Sequence, residues 1–122
     1  MKTVLVVDDE KDIRETIAQG LNRHGYEASV AANGQEALDA ANARTPDLIL
    51  LDIAMPGIDG YETCALLKKD IRHKNVPIIF LTGKDLDPRG IVQRIEQLGA
   101  KGYLPKPSTL QELLDKVKRI IG

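Results

Sequence analysis

One cysteine, Cys64, stands among 122 residues. A lone thiol can form no internal disulfide and supply no multi-cysteine metal site, which agrees with a reducing compartment. Cys64 is therefore read as a small buried apolar residue of a helix rather than a redox centre. Excess charge of either sign is also missing. Seventeen Lys and Arg against eighteen Asp and Glu leave a net charge of −1, so the overall field is not one that holds nucleic acid or an anionic membrane. Long apolar runs are missing too. The first of them, Val4-Leu5-Val6-Val7, is interrupted by Asp8 and Asp9, which is too short for a signal-peptide core and far too short for a membrane span. On this reading the chain is expected in the cytoplasm, with neither a membrane nor a direct nucleic-acid partner. No internal repeat or low-complexity stretch is visible, and residues 1–122 are expected to form a single domain, with no room among them for a linker, a second domain or an output domain.

What is present is an ordinary globular composition, 43% apolar and 29% charged, in a chain long enough to bury roughly two thirds of its unfolded surface. Its organising stretch is Leu48-Ile49-Leu50-Leu51-Asp52. Four successive large apolar residues closed by Pro56-Gly57 read as a strand buried on both faces, and that strand ends in a carboxylate. Three other apolar runs end in polar groups. Residues 4–7 deliver Asp8 and Asp9, residues 78–81 deliver Thr82 within a strand over 76–82, and Tyr103-Leu104-Pro105 delivers Lys106 as the end of a strand over 103–106. A weaker strand spans 26–32.

Helical periodicity fills the gaps. Ile13, Ile17 and Leu21 form a stripe in a helix over 10–24, with Gly25 as its C-terminal cap. Asn33 caps a helix through Ala43, and one beginning at Asp59 or Gly60 turns Leu66 and Leu67 inward. Asp87-Pro88 opens a short helix carrying Ile91, Ile95 and Leu98 and ended by Gly99. Ser108 or Thr109 caps a last helix with Leu110, Leu113, Leu114, Val117 and Ile121. The order βαβαβαβαβα, with right-handed crossovers, predicts a parallel sheet between two helical layers, an α/β three-layer sandwich.

Ligands of such sheets bind at the strands' C-terminal edge. There Asp8, Asp9, Asp52, Thr82 and Lys106 are expected to converge. Taken singly, Asp8 and Asp9 read as helix caps, Thr82 as an ordinary strand residue and Lys106 as a solvated charge. Together, several carboxylates call for retained protons or a hard divalent cation, with Mg²⁺ favoured because one or two carboxylates plus waters and phosphate oxygens satisfy it. Carboxylates, metal, ammonium and hydroxyl suit phosphoryl transfer to an aspartate.

The stretches Val6-Val7-Asp8-Asp9-Glu10, Leu50-Leu51-Asp52-Ile53-Ala54-Met55-Pro56-Gly57-Ile58-Asp59-Gly60, Leu81-Thr82-Gly83 and Tyr103-Leu104-Pro105-Lys106-Pro107 resemble the receiver domain of two-component response regulators, over the whole chain. The resemblance implies a flavodoxin-like five-stranded sheet in the order 2-1-3-4-5. It implies that Asp52 accepts a phosphoryl group from a histidine kinase or phosphotransfer protein. Mg²⁺ would be held by Asp9, Asp52 and the carbonyl of Ala54, with Asp8 reaching it through water. Lys106 would contact the phosphoryl oxygens, Thr82 would swing in to bond them, and Tyr103 would rotate as the output switch. Lys106 and Thr82 are expected to serve the site rather than the fold.

The resemblance further implies no enzymatic activity beyond the domain's own phosphoryl transfer and slow self-dephosphorylation. Output would pass by protein–protein contact from a monomer or a phosphorylation-dependent dimer, and the Lys106–Pro107 bond would be cis. Two features depart from the family pattern. The segment from Thr82 to Lys106 is about two residues longer, with the extra chain in 83–88, and Ala54 and Lys84 occupy positions that vary and tune the lifetime of the phosphorylated state. Other readings are a receiver-shaped interaction module that is never phosphorylated, an aspartyl-nucleophile phosphatase, and a flavin binder. The phosphatase needs a second acid where Ala54 stands. The flavin binder needs a phosphate loop where Asp8-Asp9 would repel the phosphate.

Overall fold

In the computed structural model, which describes residues 1–83, 87–106 and 108–122, five strands alternate with five helices. They are β1 (Thr3–Val7), α1 (Lys11–Arg23), β2 (Glu27–Ala31), α2 (Gly34–Ala43), β3 (Leu48–Asp52), α3 (Gly60–Lys69), β4 (Ile78–Thr82), α4 (Pro88–Leu98), β5 (Gly102–Pro105) and α5 (Leu110–Ile121). All strand pairs are parallel, in the order β2-β1-β3-β4-β5. β3 is the middle strand, and every one of its residues is buried. The expected three-layer sandwich and strand order are both realised.

The pleat explains the two cores. Alternate residues point to opposite faces of a strand. Leu5, Val7, Ile49, Leu51, Ile78 and Phe80 therefore share one apolar cluster with Ala37 and Ala41 of α2, Cys64 and Leu67 of α3, and Ile91 of α4. Val4, Val6, Leu48, Leu50, Ile79 and Leu81 share the other with Leu21 of α1 and Leu113, Leu114 and Val117 of α5. Each fully buried large side chain contributes about 1.5–3 kcal/mol, which makes the doubly covered β1, β3 and β4 the rigid base of everything at their ends.

Helix ends follow local chemistry. The side chains of Asn33, Asp59 and Thr109 accept from the backbone N–H three residues on, Glu36, Glu62 and Glu112 respectively. Asp59 and Thr109 are closed into full capping boxes. Asp87 accepts from Arg89 N–H ahead of Pro88, and Gly99 ends α4 in the left-handed conformation.

The structure corrects three sequence expectations. Leu66 is 45% exposed, because Thr63, Cys64 and Leu67 take the inward side of α3 and Leu66 lies about 100° round the helix from Leu67. β4 begins at Ile78 rather than Val76. Pro77 has no N–H to give, Val76 N–H is turned back onto the carbonyl of His73, and the ladder starts where Ile49 N–H reaches the carbonyl of Pro77. Lys106 lies one residue beyond β5 rather than at its end. The expectations for Lys84, for residues 84–86 of the longer 83–88 segment and for the Lys106–Pro107 bond fall outside the described residues.

At the strands' N-terminal edge, His73 is 2% exposed. Its Nε2 lies 3.0 Å from Asn42 Oδ1, and Arg72 donates to the same oxygen at 2.9 Å. This network ties the end of α2 to the turn after α3. Paired with Arg72, the Asp70 carboxyl is held down to about 2.

Candidate functional site

At the opposite edge, the ends of β1, β3 and β5 bring their polar residues together. Asp8 is fully buried. Its Oδ1 accepts from Glu10 N–H at 2.9 Å and its Oδ2 accepts from Lys106 Nζ at 2.9 Å. One carboxylate thus both closes the turn out of β1 and anchors the ammonium. Glu10 rather than Asp8 or Asp9 is the N-cap of α1, and it caps with no side-chain bond.

Asp52 is 2% exposed, with its Oδ2 at 3.4 Å from Lys106 Nζ. Asp9 and Glu10 are exposed, and oxygens of Asp8, Asp9 and Glu10 all lie within 4.8 Å of one another. An open cleft of about 410 Å³ lies over the site, lined by Asp9, Glu10, Ile13, Asp52, Ala54, Gly83 and Lys106.

The loop that carries Ala54 is fixed at both ends. Ile53 N–H donates to the carbonyl of Leu81, and Gly60 N–H donates to the carbonyl of Ile53. Gly60 is required by closeness. A Cβ there would stand 2.3 Å from the Asp52 carbonyl oxygen and 2.7 Å from Ile53 Cα, so only glycine lets α3 start directly against the end of β3.

Electrostatics single out Asp52. Burial raises its carboxyl to about 7, with the neighbouring charge of Asp8 adding to the rise and Lys106 opposing it. Burial works against the Lys106 ammonium as well, yet its bonds to Asp8 and Asp52 outweigh this and hold its pKa above the ordinary value. A single ammonium cannot compensate two buried carboxylates equally. It sits closer to Asp8, at 2.9 Å against 3.4 Å, so Asp52 is the less compensated of the two. With Asp9 and Glu10 at the mouth, the cleft is an all-oxygen site with surplus negative charge, the donor chemistry of a hard divalent cation.

Of the residues expected to converge, Asp8, Asp9, Asp52, Ala54 and Lys106 do so. Thr82 is buried at 3% at the end of β4, but Gly83 rather than Thr82 lines the cleft. Tyr103 is half-buried and packs against the α2–α3–α4 core. Glu10 was overlooked as a site residue although it directly follows the acidic pair. The signal was three successive acids at a strand end.

The family model for the response regulator receiver domain matches residues 4–118. Among curated proteins, the chain is 38% identical over 120 residues to the response regulator MprA of Mycolicibacterium vanbaalenii, covering 97% of this chain and 49% of that protein. The chain spans about half the length of the curated relatives it matches. Among solved structures, the chemotaxis protein CheY4 of Vibrio cholerae superposes with a TM-score of 0.91 at 34% identity over 98% of both chains. The receiver domain of NtrX from Brucella abortus gives 0.87 at 33% identity over 97% of both. No described helix is long and apolar enough to cross a membrane. Buried Asp52 at the end of the middle strand, the acidic turn after β1 and the Lys106 ammonium between them stand on a fold shared with these proteins, and the chain belongs to the response regulator receiver domain family.

Proposed function

We propose that residues 1–122 act as one receiver unit, a phosphorylation-activated switch in which Asp52 accepts a phosphoryl group from a histidine kinase or histidine phosphotransfer protein. The observation that carries this reading is the placement of Asp52. It is held by a fully buried strand, 2% exposed, yet it lines the cleft and lies 3.4 Å from an ammonium.

An Asp52 carboxylate oxygen attacks the phosphorus of the phosphohistidine. The new O–P bond forms as the P–N bond breaks, and the imidazole departs with the electron pair. Lys106 is already aimed at Asp52, and its ammonium meets the oxygens of the incoming group. Attack requires the ionised carboxylate, so the raised Asp52 is a barrier that a cation bound among these carboxylates would lower. Mg²⁺ would be held by Asp9, Asp52 and the carbonyl of Ala54, with Asp8 acting through water, and when bound it supplies charge neutralisation for the phosphoryl oxygens.

Thr82 turns toward the modified Asp52, and Tyr103 follows into the space it leaves. The surface around α4 and β5 changes as a result, and the output is contact with another protein. The domain acts on its own Asp52 and on no separate substrate. The reading places it in the cytoplasm, as a monomer or a dimer formed on phosphorylation.

Incubation with acetyl phosphate and Mg²⁺ should add one phosphoryl mass, mapped to Asp52. The label should be absent from Asp52→Asn protein and from wild type treated with a chelator. Equal labelling of Asp52→Asn would overturn the assignment.

A further inference from the structure

The chain has only three tyrosines and one phenylalanine as aromatics, and three of these four stand together on the sheet face that α4 covers. Phe80 of β4 is paired in register with Tyr103 of β5. Tyr61, from the first turn of α3, meets Phe80 edge-on with ring centroids 5.2 Å apart and planes at 74°. All three belong to the apolar cluster that also holds Ile91, Ile95 and Leu98 of α4. The row ends at a charge, because the Arg94 guanidinium of α4 lies 4.6 Å from the centroid of the Tyr61 ring. Arg94 is exposed and makes no salt bridge among the described residues.

α4 is otherwise lightly fastened. Ile91 is its only buried residue, and Gly90 in its first turn has open space where a side chain would be. A helix held this way is easily displaced, and a cation stacked on a ring that is itself wedged against the central strands is a directional tie of the kind that fixes one position.

We infer that Arg94 and Tyr61 form a latch that sets the resting position of α4, with the Tyr61–Phe80–Tyr103 row linking that position to the Tyr103 ring. The inference rests on the proposed phosphorylation switch. It adds a positioning residue, Arg94, which touches no part of the site and acts through Tyr61. The stacking is made only while α4 is in place. Removing it should therefore raise the population of the displaced state about two- to five-fold, the range an exposed cation–ring pair supplies.

The test uses Arg94→Gln, Tyr61→Leu, the double variant, and Tyr61→Phe, which keeps the ring. In unphosphorylated protein, hydrogen exchange of the α4 amides should rise about two- to five-fold in Arg94→Gln and stay at the wild-type level in Tyr61→Phe. Labelling of Asp52 by acetyl phosphate should quicken by the same factor. Amide shifts of Ile91 and Ile95 should move part of the way toward the positions they take with beryllofluoride and Mg²⁺. Adding Arg94→Gln to Tyr61→Leu should change nothing further. The latch is overturned if Arg94→Gln matches wild type in exchange and labelling, or if its effect persists in full in the Tyr61→Leu background. If wild type itself is not labelled on Asp52, the switch reading fails, while the exchange experiment still decides whether the latch exists.

Discussion

Replacing Asp52 by Asn should stabilise the metal-free protein, and the gain should depend on pH in a way that reports the electrostatics of the site. In the folded chain the Asp52 carboxyl titrates at about 7, against an ordinary value of 3.8. Burial is the main cause, Asp8 adds to it, and Lys106 opposes it. The folded state therefore holds a proton that the unfolded state has lost everywhere between about pH 4 and pH 7. Stability must fall as pH rises through that window and level off above it. About three pH units at about 1.4 kcal/mol each set a ceiling of about 4 kcal/mol on the destabilisation by ionised Asp52 at pH 8. Asn keeps the shape and can accept from Lys106, but it forgoes the attraction between charges. A net gain of about 2 kcal/mol at pH 8, shrinking to well under about 1 kcal/mol at pH 4, is the expected outcome.

Urea denaturation of both proteins at a series of pH values, in the presence of a chelator, measures the difference directly. Mg²⁺ should narrow it at pH 8, because an ion that binds only the folded, ionised wild type stabilises that form by mass action. Parallel stability curves for the two proteins from pH 4 to pH 8 would refute the reasoning. They would mean that Asp52 feels neither its burial nor Asp8.

Lys106→Ala should destabilise the chelated protein by about 1–3 kcal/mol at pH 8, since it leaves the fully buried Asp8 without its cation. It should also push the titration of Asp52 upward, observable by carbon NMR of labelled aspartate. Gly60→Ala should cost about 1–3 kcal/mol and slow labelling of Asp52, because the methyl group meets backbone at 2.3 Å rather than a side chain that can move aside; normal labelling at unchanged stability would count against the close-packing argument. Asn42→Ala removes the acceptor facing His73 Nε2 at the far edge of the sheet. It should lower stability by about 1–3 kcal/mol in urea titrations and leave Asp52 labelling as it was.

Much of the frame was legible because it is written in periodic patterns. The buried run Leu48-Ile49-Leu50-Leu51 marked the middle strand, and caps such as Asn33, Asp59 and Thr109 marked where helices begin. Polar residues at the ends of apolar runs marked the edge of the sheet that carries chemistry. What escaped notice depends on meetings between elements, which leave no period in the sequence. Leu66 and Leu67 are equally apolar, and only the direction of α3 against its neighbours decides that one is buried and the other is 45% exposed. His73 with Asn42 and Arg94 with Tyr61 are separated by 31 and 33 positions, and neither pair has a local signature.

Lys106 shows the limit most clearly. From sequence it is a residue that reads a phosphoryl group and can be removed without harm to the fold. In the structure its ammonium lies 2.9 Å from Asp8 and 3.4 Å from Asp52, so the group proposed to meet the phosphoryl oxygens also holds the resting site together. A residue with both duties cannot be sorted into fold or function. The consequence is mechanical. Any anion that draws Lys106 away loosens its hold on Asp8, and the turn into α1 is closed by that same Asp8 through Glu10 N–H. Modification of Asp52 should then be felt at the start of α1, and because Glu10 itself lines the cleft, the part of its backbone amide shift with beryllofluoride that travels through Asp8 should disappear in Lys106→Ala protein.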